Sequence, residues 1–379
     1  MKTIVPEEYR DADRLSVSRF KAALPLWGPR LRAAVTLEAC AMALLGSAVT
    51  PAWSQDVVRL DGRVSAAIGK RAGNSELQYL DLSLSQIKLT AIERLPGGVT
   101  VTASLDHRLN LGSGTTATLL PGTFWSGHSY VSVSAPGVGQ LLLGRFYTAA
   151  LVLAQDRSDP FAGETIADLR SVSVAPFEIQ GLMAKGGSGW IPRGRVNNGL
   201  LYSVRPTSSW SSDGVDLMLG VSPERRGERP TGGGRHWSVA AAYRKGPWYI
   251  GVGHEDPEGR TDRFSSIVVT RDLKSVKLNF GFSAGRDNAG TATAPAPKHY
   301  RGWLVGGTAR LGTGDLRFGY GSSSFDGHHY GDKLGLGYRY HLSRRTYLYS
   351  DVAYSRKQLG QSFDGSRRTG FDLGLATLF

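Results

Sequence analysis

Cysteine is almost missing from this 379-residue chain: the single thiol, Cys40, lies in the N-terminal stretch. Downstream of it disulfides, zinc–thiolate sites and cysteine nucleophiles are excluded. Also missing beyond Gln55 is any apolar run approaching the roughly 20 residues of a membrane helix. No segment there shows a helical period, and no Pro/Ser linker or shift in composition divides it, although its length would suit two soluble domains. Catalytic signatures are lacking too. There is no Gly-x-Ser-x-Gly elbow, no His-Glu-x-x-His and no Walker A loop, so the chain reads as non-enzymatic, with no cofactor. His328 and His329 are adjacent and would point to opposite faces of a strand, which argues against a metal pair.

Charge is unbalanced. Lys and Arg number 45 against 32 Asp and Glu, a net of +13. A basic chain could meet nucleic acid, but the N-terminus argues for export and against that partner. Lys21, Arg30 and Arg32 precede an apolar stretch from Ala33 to Val49, and Ala52-Trp53-Ser54 supplies the small residues a signal peptidase reads. Cleavage is expected before Gln55. Glu38 interrupts the apolar stretch, which falls short of a transmembrane anchor. The same Glu beside Cys40 argues against a lipid anchor. The expected organisation is an N-terminal extension with a cleavable signal peptide over 1–54, then one domain over 55–379, still basic after cleavage.

What remains is alternation. Phe371, Leu373, Leu375, Thr377 and Phe379 share one face of the final segment, while Asp372, Gly374 and Ala376 share the other. Val58, Leu60, Val64, Ala66 and Ile68 alternate with Arg59, Asp61, Arg63 and Ser65. Similar sets recur at 99–105, 237–243, 248–252, 276–282, 316–320 and 334–340. Short breaks such as Leu95-Pro-Gly-Gly98 and Lys245-Gly-Pro247 exchange with longer polar ones such as Ser222 to Arg235 and Gly285 to His299. An ordinary soluble β-sandwich would also alternate. Short turns exchanging with long loops, aromatics near strand ends and a terminal Phe favour an all-β fold, a transmembrane antiparallel β-barrel of about 16 strands. Its apolar face meets lipid, and its polar face lines the interior.

One break is of another kind. From about 146 to 195 no alternation is visible, and a segment this long in a compact fold carries function. Its economical position is folded inward, as a constriction loop.

Four stretches carry a family resemblance. Ser129-Tyr-Val-Ser-Val-Ser134 is followed by Leu143-Gly-Arg-Phe-Tyr-Thr148. Asp159-Pro-Phe161, Arg195-Val-Asn-Asn-Gly-Leu-Leu-Tyr202 and Tyr340-His-Leu-Ser-Arg-Arg-Thr-Tyr-Leu-Tyr349 come in order behind them, with Phe379 closing the chain. The sequence resembles the general porins of Gram-negative bacteria, in particular the trimeric porins of β-proteobacteria. Phe146 stands where that family commonly has Gln. The resemblance implies a homotrimer of 16-stranded barrels in the outer membrane, with the third external loop inside each pore.

Mechanism then follows from the alternation. Arg59, Arg63, Lys88, Arg108, Arg205, Arg244, Lys277, Arg310, Arg317 and Arg339 fall on the interior parity, and Arg145 of the Gly-Arg motif joins this pore wall. Against them stand Asp61, Asp106, Asp216, Asp315, Asp351 and Asp372. Excess positive charge in a water-filled tube concentrates anions. On the loop, Asp156, Asp159, Glu164 and Asp168 are expected to oppose the wall arginines and set up a transverse field at the constriction. Phe379 is the expected membrane-insertion signal. The expected function is passive diffusion of small hydrophilic, preferentially anionic solutes, with outer-membrane lipid and lipopolysaccharide as neighbours. The alternative is a closed outer-membrane barrel acting as adhesin or receptor, or a phospholipase-type enzyme whose Ser and His need no local motif.

Overall fold

The structure, a computed structural model, describes residues 57–82, 85–117, 124–170, 173, 194–206, 212–222, 236–256, 263–287, 298–356 and 366–379. The signal peptide expected over 1–54 lies outside them, as does nearly all of the polar break from Ser222 to Arg235.

Among the described residues seventeen strands follow one another. They are β1 (Val57–Lys70), β2 (Gln78–Leu80), β3 (Ser85–Arg94), β4 (Thr100–Leu109), β5 (Ser129–Ala135) and β6 (Gly139–Tyr147). Then come β7 (Arg195–Ser203), β8 (Gly214–Ser222), β9 (His236–Lys245), β10 (Trp248–Asp256), β11 (Arg263–Leu273) and β12 (Val276–Asp287). The last are β13 (Lys298–Leu311), β14 (Gly314–Phe325), β15 (His328–His341), β16 (Thr346–Ser355) and β17 (Thr369–Leu378). Both β2 and β3 pair with β1, as two halves of one stave, so the sheet is a closed 16-strand antiparallel barrel. Ring closure is the pairing of β1 with β17. Phe379 N donates to Gly62 O at 3.1 Å and Gly62 N to Phe379 O at 3.0 Å, so the last residue seals the seam. Hydrocarbon offers no partner for a backbone N–H or C=O, and a closed ladder is how strands avoid an open edge.

The alternation survives as burial. On β17 Phe371, Leu373 and Leu375 are exposed outward while Asp372, Gly374 and Ala376 are buried inward. On β9 Trp237, Val239 and Tyr243 point out, and Ser238, Ala240 and Ala242 point in. Among the described residues no helix is long and apolar enough to cross a membrane. One expectation needs trimming: the break from Gly285 to His299 is shorter than read. The β12–β13 ladder continues through Arg286↔His299 and Asp287↔Lys298, because backbone pairing does not require apolar side chains.

The interior is not uniformly polar. Phe146, Ala149, Leu153, Val196, Leu201 and Met218 form part of one inner apolar cluster, and Phe161, Ile166, Leu169, Leu304 and Tyr349 part of another. Both lie where the long loop meets the inner wall.

Candidate functional site in the barrel lumen

After β6 the chain turns inward. Thr148 caps a short helix, α1 (Ala149–Leu153), by accepting from Leu151 N, and its hydroxyl donates to Glu255 of β10 at 3.0 Å. Ala149 N donates to Ser238 Oγ of β9 at 3.1 Å, and Tyr249 Oη donates to the Leu153 carbonyl at 2.6 Å. Farther along, Asn279 of β12 holds the Arg157 carbonyl at 2.9 Å. Ile166 N donates to Asp372 of β17 at 3.0 Å, and Tyr300 of β13 donates to the Ser173 carbonyl. The described part of the loop is thus bonded to the wall from β9 round to β17.

Glycine makes that contact possible. A Cβ on Gly251 would run into the Leu153 carbonyl, and one on Gly302 into the Ser173 carbonyl. Inward-facing positions without side chains leave a track on which the loop backbone lies.

The loop carboxylates have distinct places. Asp159 is buried and accepts from Phe161 N at 3.0 Å, Gly163 N at 3.2 Å and Leu169 N at 3.3 Å, so it organises the loop and does not face an opening. Burial, then neighbouring Asp168, push its carboxyl well above the usual range. Asp156 pairs with Arg170 within the loop, and Asp168 accepts from Arg170 N at 3.1 Å. Glu164 reaches the wall, pairing with Arg63 of β1 and with Arg339 of β15 at 3.1 Å. Asp156, Asp159 and Asp168 are therefore engaged within the loop and Glu164 with the wall. Of the expected opposition between loop acids and wall bases, Glu164 supplies a direct case.

On the wall, Arg59, Arg63, Lys88, Arg108, Arg205, Arg244, Lys277, Arg310, Arg317 and Arg339 all share the inward parity, with Asp61, Asp106, Asp216, Asp315, Asp351 and Asp372. Several are paired. Arg108 meets Asp106 at 3.0 Å and Arg205 meets Asp216 at 3.3 Å. Arg317, only 2% exposed, donates to both Asp351 oxygens at 2.9 and 3.0 Å and lies over the Phe161 ring, so it is buried beneath the loop. Arg145 sits at an irregular point of the wall. It has the parity of outward-facing Leu141 and Leu143, at the register break between Gly144 and Phe146, and donates to the Ser126 carbonyl at 2.9 Å and to Asn197. A bulge unsettles parity at just such a point.

A model of the Gram-negative porins matches residues 39–358. The chain belongs to the Gram-negative porin family. Among solved structures this porin is similar to an anion-selective porin from Comamonas acidovorans, with 19% identity, a TM-score of 0.67, and coverage of 86% of this chain and 100% of that one. It is also similar to the trimer form of OmpT from Vibrio cholerae (11%, TM-score 0.60, 86% and 99%) and to a Rhodopseudomonas blastica porin triple mutant (14%, TM-score 0.56, 85% and 100%). No curated protein matches the sequence. The family and the barrel place this porin in the outer membrane as a channel.

Arg157 and Tyr249, both in the porin lumen, escaped the sequence reading. Arg157 of the loop and Arg244 of β9 both lie against the Tyr249 ring, at 4.7 and 4.9 Å from its centroid; only Arg244 was anticipated. Tyr249 alternates with apolar neighbours like any strand aromatic, so its role had no local signal. The glycines on interior parity did carry one: small residues facing inward imply something packed against them.

Proposed function

We propose that this porin passes small hydrophilic solutes and ions by passive diffusion, prefers anions, and assembles as a homotrimer. One observation carries the preference. Arg59, Lys88, Arg157, Arg244, Lys277 and Arg310 have no carboxylate within ion-pair distance among the described residues, whereas the loop acids are engaged. Fixed positive charge in a channel with low-dielectric walls raises local anion concentration. In this reading Glu164 sets the constriction with Arg63 and Arg339, Asp156 and Asp168 shape the loop, and terminal Phe379 is the insertion signal. Outward, exposed Arg301 near the long-loop end supports contact with lipopolysaccharide phosphates.

The trimer reading draws support from the family resemblance and from the trimeric Vibrio structure. Single-channel recording in a planar bilayer with a KCl gradient tests the channel: a reversal potential of anion-selective sign is expected. Absence of current, or clear cation selectivity, overturns the reading. Gel mobility before and after heating tests assembly, with a heat-sensitive oligomer as the expected result.

A further inference from the structure

On the outer wall, three side chains line up across adjacent strands at the short-turn end. Lys245 of β9 and Arg271 of β11 are the register partners of Trp248 on β10, one on each side. All three have outward parity and are exposed. The Arg271 guanidinium lies over the Trp248 ring, 4.7 Å from its centroid. Neither cation has a carboxylate partner among the described residues. Two positive charges flanking an interfacial Trp form a receptor for an anionic headgroup, with the ring at the depth where membrane aromatics rest.

Above this row the wall is hollowed. A groove of about 650 Å³ is lined by Leu217, Val239, Ala241, Val252, Ile267 and Phe282 among others. Its floor is recessed because Ala241 is the small residue between the register partners Leu217 and Val252. From Trp248 to Val252 is about 13 Å along the strand, or roughly 10 Å of depth after barrel tilt. One leaflet of hydrocarbon is about 15 Å deep, so a headgroup held at the row delivers its acyl chain into the groove.

We propose that Lys245, Trp248, Arg271 and this groove form a binding site for an anionic glycerophospholipid of the periplasmic leaflet. Short turns mark the periplasmic end of a bacterial barrel, where the leaflet is phospholipid. Tyr243 and Trp248 near one end of this wall and Trp237 near the other are membrane-belt residues, which favours lipid over a second copy of the chain as the occupant. The two cations select a phosphate that has no compensating choline.

Native mass spectrometry of the purified oligomer, titrated with phosphatidylglycerol or phosphatidylcholine, tests this. The wild type is expected to bind phosphatidylglycerol about tenfold more tightly. The doubly substituted Lys245→Gln/Arg271→Gln protein should lose that preference, and Ala241→Phe should weaken retention of both lipids. Equal affinity of the wild type for the two lipids overturns the site whether or not the variants fold. So does an undiminished preference in a double variant that keeps wild-type heat-sensitive mobility and conductance. Conductance is read in the same preparation, so a missing lipid site is distinguishable from a missing channel.

Discussion

The Glu164 carboxylate ties together two staves that are not neighbours, pairing with Arg63 on β1 and with Arg339 on β15 while β16 and β17 run between them. One loop side chain thereby fixes the loop against the wall and masks two wall cations at once. Both consequences can be measured.

Glu164→Gln removes the charge and retains the shape. Arg63 and Arg339 then lose this negative partner, so the reversal potential in a KCl gradient should move further in the anion-selective sense. Loss of the charged bonds should weaken local anchoring by about 1–3 kcal/mol, seen as noisier open-channel current. A reversal potential shifted toward cations would refute this account of the clamp.

Lumenal cations of different burial should behave differently. The combined Lys88→Gln, Arg244→Gln and Lys277→Gln variant is expected to fold and to lose much of its anion preference. Arg317→Gln should do the reverse. It leaves Asp351 buried without its partner, a loss of about 3–5 kcal/mol in denaturant unfolding, with little change in selectivity. Equal effects of the two variants on reversal potential would contradict the assignment.

Gly251→Val tests the track beneath the loop. The added side chain collides with the Leu153 carbonyl and should cost about 1–3 kcal/mol as the loop shifts. Altered conductance in a correctly assembled barrel is the expected readout, and an unchanged conductance would separate loop position from channel size.

His128, just ahead of β5, introduces a pH dependence. Burial, then the fields of Arg195, Arg108, Lys88 and Arg145, hold its imidazole well below the usual range. The unfolded chain binds this proton near pH 6.5 and the folded chain resists it, so stability is full above that value. It falls as pH drops below about 6.5, by at most about 1.4 kcal/mol per pH unit from this residue. Unfolding midpoints compared between wild type and His128→Asn from pH 7.5 to 5 should show the shallower slope in the variant.

The alternation of β17, β9 and β1 could be read directly, because a strand side chain has only two directions and each direction meets a different medium. Inward parity of the wall arginines followed from the same count. It did not reach Arg145, which the Gly-Arg motif placed on the wall and which sits at a register break that no apolar pattern announces. The loop was recognisable by the interruption of alternation, but Asp159 and Glu164 looked equivalent there. Asp159 is buried among amides of its own loop, whose turns no alternation announces, and Glu164 meets two arginines from strands far away in the chain.

Period, terminal aromatic and loop lengths determined by themselves that this polypeptide is a lipid-facing barrel with a polar interior, because those properties are local and repeat every two residues. Which charges stay available to a solute was decided only by the tertiary structure. Ion pairs such as Arg317 with Asp351 and Glu164 with Arg339 join residues 34 and 175 positions apart. No period along the chain encodes a Coulombic partner that ring closure and an infolded loop bring together.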